Sequence, residues 1–119
     1  MYDSDTEPFM EGMRMAIHFV VYEKPHCEAC RLTRRWLLTH HQRFRTTNRR
    51  GETNLVDPNS DDPLKRAWSA QKVVKFRQDG YDRFPIVRVR DDETGDVLAT
   101  WNGFHPEALA SWAAINRLG

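Results

Sequence analysis

Lys24-Pro25-His26-Cys27-Glu28-Ala29-Cys30 carries both cysteines of this 119-residue chain. Ahead of it lies the apolar run Ile17-His18-Phe19-Val20-Val21-Tyr22, and behind it Arg31-Leu32-Thr33-Arg34-Arg35-Trp36-Leu37-Leu38, a segment of helical composition. A strand that runs into a Cys-x-x-Cys turn and then opens a helix places Cys27 at or just before the first helical position. Free backbone N–H groups and the helix macrodipole favour an anion there. In such motifs a thiol pKa falls from about 8.5 into the range of roughly 3.5–7.5. Lys24 and His26 add donors or positive charge nearby, and Glu28 opposes them. Cys30 lies one turn deeper. Cβ atoms at i and i+3 of a helix are about 5–6 Å apart, against about 3.8 Å in a disulfide, so a local adjustment closes the pair. Cys27 is the expected nucleophile, and the pair is expected to oxidise reversibly. The plainer alternative is two buried cysteines packing as small apolar side chains.

A chain of this length is expected to form one domain with a core that needs no disulfide staples, which leaves the cysteines free for chemistry. Two cysteines are too few for a secreted disulfide scaffold, and no stretch reads as a signal peptide or a membrane span, so a cytoplasmic protein is expected. Lys plus Arg number 18 against 17 Asp plus Glu, a formal charge of +1. That balance gives no support for a nucleic-acid partner. The arginines are nevertheless uneven: Arg43, Arg45, Arg49 and Arg50 cluster around Thr46, Thr47 and Asn48. Phe44 is the one aromatic there, a poor stacking surface for bases, and Arg43 to Gly51 reads as a solvated loop rather than a phosphate-binding patch.

Residues 1–14 mix acidic, small and turn-forming types without a period and read as a disordered extension, with Met13 and Met15 as alternative starts; the domain is expected over 15–119. The first strand, Met15 to Tyr22, is apolar almost continuously, as suits a strand buried on both faces. His18 within it is expected to be packed or hydrogen-bonded in the core. The first helix is expected from Glu28 to about Arg43, with Leu32, Trp36, Leu37 and, more weakly, His40 inward and Thr33, Arg34 and Arg35 on the other face. A short strand is expected over Thr53 to Asp57. Ser60 or Asp61 would cap a second helix, with Pro63 early in it and its end near Gln78, before Gly80. Phe84 to Arg90 reads as a strand with Pro85 at its start, Asp91 to Asp96 as a hairpin turn, and Val97 to Trp101 as the returning strand. Asn102 to Glu107 leads into a closing amphipathic helix with Leu109, Trp112, Ala113 and Ile115 on its inner face. The order β-α-β-α-β-β-α predicts an α/β fold, in which a parallel βαβ unit and an antiparallel hairpin share one four-stranded mixed sheet flanked by helices.

Three separated blocks resemble one known family: Val21-Tyr22-Glu23-Lys24-Pro25-His26-Cys27-Glu28-Ala29-Cys30, Gly80-Tyr81-Asp82-Arg83-Phe84-Pro85-Ile86-Val87, and Trp101-Asn102-Gly103-Phe104-His105-Pro106-Glu107. In that order and spacing they resemble the thioredoxin superfamily, and within it the glutaredoxin-like NrdH-type redoxins. The resemblance implies a thioredoxin/glutaredoxin-like fold and a thiol–disulfide oxidoreductase in which Cys27 attacks and Cys30 resolves. It implies that Pro85 is a cis-proline, an isomer found in only about 5–6% of X–Pro bonds, and that Phe84 pairs by backbone with an extended substrate segment. The third block is similar to the family's Trp-Ser-Gly-Phe-Arg/Lys-Pro-Asp/Glu stretch. Lys24, His26, Phe84, Pro85, Gly103, Phe104 and His105 are accordingly the expected substrate-binding residues. The Gly-Gly and paired-acid stretch that holds glutathione in ordinary glutaredoxins is missing. The implied electron source is therefore thioredoxin reductase and the implied client ribonucleotide reductase, with a glutathione-dependent glutaredoxin as the alternative. A monomer is expected, with no metal and no cofactor beyond the redox-active Cys27–Cys30 disulfide.

The sequence departs from the family's pattern in three places. Asn102 stands where Ser is usual. His105 stands for Arg or Lys, which makes a cation there depend on pH near neutrality. Arg43 to Gly51 looks like an insertion between the first helix and the second strand.

A zinc module built on the same cysteines is the competing reading, and a structural site needs about four ligands. The histidines are His18, His26, His40, His41 and His105. His40 and His41 lie about 15 Å down the helix from Cys30 at 1.5 Å per residue, so only His26 and His105 are left to approach. A redox-dead adaptor is the third reading, and the intact cysteine pair argues against it.

Overall fold

The computed structural model describes residues 16–118. The elements in chain order are β1 (Ile17–Tyr22), α1 (Glu28–Thr39), β2 (Phe44–Arg45), α2 (Pro63–Gln78), β3 (Ile86–Asp91), β4 (Val97–Asn102) and α3 (Pro106–Leu118). The strands form one sheet in the order β2-β1-β3-β4. β1 runs parallel to β2 through Phe19↔Phe44 and antiparallel to β3, and β3 runs antiparallel to β4. This is the expected mixed sheet and the thioredoxin/glutaredoxin-like arrangement of strands. The expected extension over residues 1–14 lies outside the described residues, as does Met15.

Side chains alternate across a strand, so β1 serves two cores. Ile17, Phe19 and Val21 join Val87 and Val89 of β3 under Leu37 of α1 and Leu109 of α3. On the other face Val20 and Tyr22 join Ile86, Val56 and Phe76 of α2. Both faces being covered is why β1 reads as an unbroken apolar run. Full burial of a Phe, Leu or Ile side chain stabilises by roughly 1.5–3 kcal/mol, and Phe19, Ile17, Leu37 and Leu109 are all 0% exposed. On α3, Trp112 and Ile115 pack against the first core and Ala113 is buried, as its spacing predicts.

Four expectations need correction. α1 ends at Thr39 rather than near Arg43, because His41 adopts the left-handed conformation (φ 56°), with its N–H on Leu38 O at 3.1 Å and that of Gln42 on Leu37 O at 2.9 Å. Those two bonds form a Schellman closure built on histidine where glycine is usual. Thr33 is buried rather than on the polar face, its hydroxyl satisfied by Ala29 O at 2.8 Å. On α2 the cap is Asp62, which accepts from Leu64 N, with Pro63 in the first turn. Ser69 is buried there, while Leu64 and Val74 face solvent.

The second strand is also displaced. It lies at Phe44–Arg45, inside the stretch that reads as a loop, and of Thr53 to Asp57 only Leu55 pairs with the sheet edge, through a parallel bridge to Glu23. Between the two places the chain makes an excursion, closed by an antiparallel Thr47↔Thr53 bridge and by Asn54 N on Thr46 O at 2.8 Å. The edge strand is one line of backbone interrupted by a looped insert. Val56 N then rejoins Glu23 O at 2.7 Å.

Candidate active site

The chain leaves β1 at Tyr22, and Glu23 fixes the exit: Arg34 Nε of α1 donates to its carboxylate at 2.9 Å, and its own carbonyl takes Val56 N–H. His26 then turns left-handed (φ 56°) and delivers Cys27 to the N-cap of α1 in an extended conformation. Cys27 Sγ accepts from Cys30 N at 3.1 Å. It occupies the place that Ser, Thr or Asp takes in most helices, with the Cys30 amide of the first turn directed at sulfur. Cys30 is 1% exposed, whereas Cys27 is half-buried. The two are joined in a disulfide with Cα atoms 5.2 Å apart.

The loop before β3 faces this pair. Phe84 O lies 3.6 Å from Cys27 Sγ, and the Phe84–Pro85 peptide bond is cis, as the family resemblance implies. Pro85 is buried, and its carbonyl accepts from Gly103 N at 2.8 Å. Gly103 has φ +82°, a region that side-chain-bearing residues rarely enter, and a Cβ there would stand 3.9 Å from His105 Nε2. The structure thus brings Cys27, Cys30, Phe84, Pro85 and Gly103 into one connected set, with His105 beside Gly103. Lys24 joins the rim by another route. With Phe84, Val56, Arg77 and Tyr81 it lines a cleft of about 230 Å³.

The remaining expected site residues divide. Phe104 is half-buried and packs against the core cluster under α1 and α3. Lys24, His26 and His105 are exposed, and no hydrogen bond or ion pair among the described residues joins them to either cysteine. The expected opposition from Glu28 is muted: it is paired with Arg31, and that hydrogen bond holds its carboxyl below the ordinary value despite full exposure.

Two contacts at the site carry no signal in the sequence. Glu23 and Arg34 meet only because α1 folds back along β1. Asn102 Nδ2 reaches Asp82 Oδ1 at 3.3 Å, which ties the end of β4 to the loop carrying Phe84. Among the described residues no group of three or more His, Cys, Asp or Glu side chains is close enough to hold a metal ion. No helix among them is long and apolar enough to cross a membrane.

No protein-family model matches the sequence, and no curated protein matches it. Among solved structures the chain is similar to the glutaredoxin-like protein NrdH-redoxin from Escherichia coli, described for its thioredoxin-like activity profile. The identity is 20% over 86% of this chain and 95% of that one, with a TM-score of 0.46.

Proposed function

We propose that the chain is a dithiol–disulfide oxidoreductase that carries electrons to protein disulfides through Cys27 and Cys30. The observation that carries this reading is the asymmetric sulfur pair: Cys27 caps α1 in the half-open position, and Cys30 waits one turn deeper, 1% exposed and already bonded to it.

In the reduced protein the Cys27 thiolate attacks one sulfur of a partner disulfide. The partner's S–S bond breaks, its other sulfur leaves as a thiolate and takes a proton, and a mixed disulfide forms. The Cys30 thiol then loses its proton and attacks Cys27 Sγ, releasing the second partner thiol and leaving the Cys27–Cys30 disulfide. The partner gains two electrons and the protein loses two. Phe84 O, beside Cys27 Sγ, and the Pro85 turn form the backbone edge against which an extended substrate segment lies. Lys24, His26, Gly103 and His105 form its rim.

Reduction of the resulting disulfide is assigned to thioredoxin reductase, and the client to ribonucleotide reductase, in the cytoplasm. The support is the resemblance of Trp101 to Glu107 to the redoxin stretch and the lack of a glutathione-holding one. The test supplies the oxidised protein with NADPH and either thioredoxin reductase or glutathione plus glutathione reductase, with reduction of a protein disulfide as the readout. Turnover with the first system is expected. Turnover with the second alone moves the protein to the glutathione-dependent class, and turnover with neither removes the oxidoreductase reading.

A further inference from the structure

Strand register gathers arginines on the sheet face that carries α2, away from the cysteines. Residues paired across neighbouring strands project to the same face. Val20 is paired with Arg45 on one side and Arg88 on the other, and His18, in the adjacent row, is paired with Arg90. Arg88 Cζ lies 5.0 Å from the Tyr22 ring centroid and its Nη1 3.2 Å from Tyr22 Oη, which fixes the face. Arg49 is drawn in at Gly95: its Nη2 lies 3.0 Å from the position of a Gly95 Cβ, while Arg90 Nη1 donates to Gly95 O at 2.7 Å.

Among the described residues the hydrogen-bond partners of Arg45, Arg88 and Arg90 are neutral. Arg45 donates to Thr47 O, Arg88 to Tyr22 Oη and Arg90 to Gly95 O, and among the described residues none of the four meets a carboxylate. The nearby carboxylate of Asp92 is engaged by Arg43 and His18. Arg90 Nε is buried without a hydrogen-bond partner among the described residues. Burial first, and then Arg88, Arg45 and Arg49, push the Arg90 pKa down. An unpaired buried donor among like charges costs stability unless an acceptor arrives.

We propose that Arg45, Arg49, Arg88 and Arg90 form a binding site for a small oxyanion of the pyrophosphate class. Four guanidiniums supply paired N–H forks that match phosphoryl oxygens. Arg45 and Arg88 flank a single strand, so their Cα atoms are about 10 Å apart at 4.7–4.9 Å per strand. Side chains of that length reach past Val20, which is 1% exposed in the core beneath α2, to span two linked phosphoryl groups at their guanidinium ends. The site is independent of the disulfide chemistry, and failure of one reading leaves the other standing.

The test is calorimetric titration of the full chain with inorganic pyrophosphate at low ionic strength, with chloride as control. Saturable binding of one pyrophosphate per chain is expected, weakened about tenfold or more in Arg45→Gln and in Arg49→Gln. The Arg90 Nε–H resonance should move on addition of pyrophosphate to the unmodified protein, a readout that needs no variant of that partly buried residue. Arg35→Gln, which removes the same charge from an exposed position on α1, should bind as the parent does. Two results overturn the proposal: no saturable heat, or equal weakening in Arg35→Gln and Arg49→Gln.

Discussion

The carbonyl oxygen of Phe84 lies 3.6 Å from Cys27 Sγ, and the backbone nitrogen of Cys30 lies 3.1 Å from the same sulfur. Once the disulfide is reduced, the two neighbours act in opposite senses. The amide N–H and the helix dipole favour a thiolate, whereas the negative end of a carbonyl dipole favours a thiol that can donate to it. The Cys30 amide is closer to the sulfur than the Phe84 carbonyl and is reinforced by the helix dipole, so the thiolate is favoured.

Reduced Cys27 should therefore titrate below the free-cysteine value of about 8.5. The pH dependence of alkylation by iodoacetamide measures this, with Cys27 modified first and Cys30 protected by burial. A midpoint at or above the free value, or preferential modification of Cys30, contradicts the proposed division of roles.

Replacing Cys30 with Ser should accumulate a mixed disulfide with substrate through Cys27 and abolish multiple turnover. Cys27→Ser should trap nothing, because the remaining sulfur is 1% exposed. Mass spectrometry of the trapped species identifies the sulfur involved, and a conjugate on Cys30 would reverse the assignment.

Asp92 should shape the acid limb of stability. Burial acts to raise its carboxyl, but hydrogen bonds from Arg43 and His18 outweigh it and hold the group below the usual value of 3.8. A carboxyl depressed in the folded state contributes its stability above the unfolded pKa, and that contribution fades as pH falls through the folded one. Asp92→Asn should lower stability at pH 7 by about 1 kcal/mol, since Arg43 is largely exposed and the pair is screened. The gap to the parent should close below about pH 4. Urea unfolding at pH 7 and pH 3 checks it, and a gap that stays constant with pH counts against the linkage.

Ser69 is a sharper test of the α2 contact. Its Oγ accepts from Asp57 N at 2.8 Å while the residue is 0% exposed. Ser69→Ala leaves that amide without a partner and should cost about 1–3 kcal/mol. Leu64→Ala, at a position 82% exposed, should change the urea midpoint little. Equal effects would mean that α2 is not seated as described.

The sequence was most legible where one local signal met no competitor. β1 is apolar because both its faces are covered, and the N-terminal position of Cys27 follows from a strand–turn–helix pattern that tertiary contacts only reinforce. Thr33 departs from its expected face because a hydroxyl that bonds back to the preceding turn buries as easily as a small apolar group. The end of α1 carries no local signal because left-handed closures are expected at glycine, and here histidine makes one. The second strand was hidden for a different reason. Its two paired residues sit among arginines, and its continuation at Leu55 is separated by the insert, so no window contains enough of the strand to show alternation. At the site, the cis bond agrees with the family resemblance, while the Pro85–Gly103, Asn102–Asp82 and Glu23–Arg34 contacts arise only when distant segments are brought together.

The insert in the edge strand also bears on self-association. An uninterrupted outermost strand offers a row of free amides and carbonyls on which another molecule can template itself. Here that row is two residues long before the backbone veers outward, and the Asn48 side chain takes up the amides of Arg50 and Glu52 within the detour. Arg49 and Arg50 add like charge along the same flank. The same segment that obscures the strand blunts this border of the sheet as a template for fibril-like stacking.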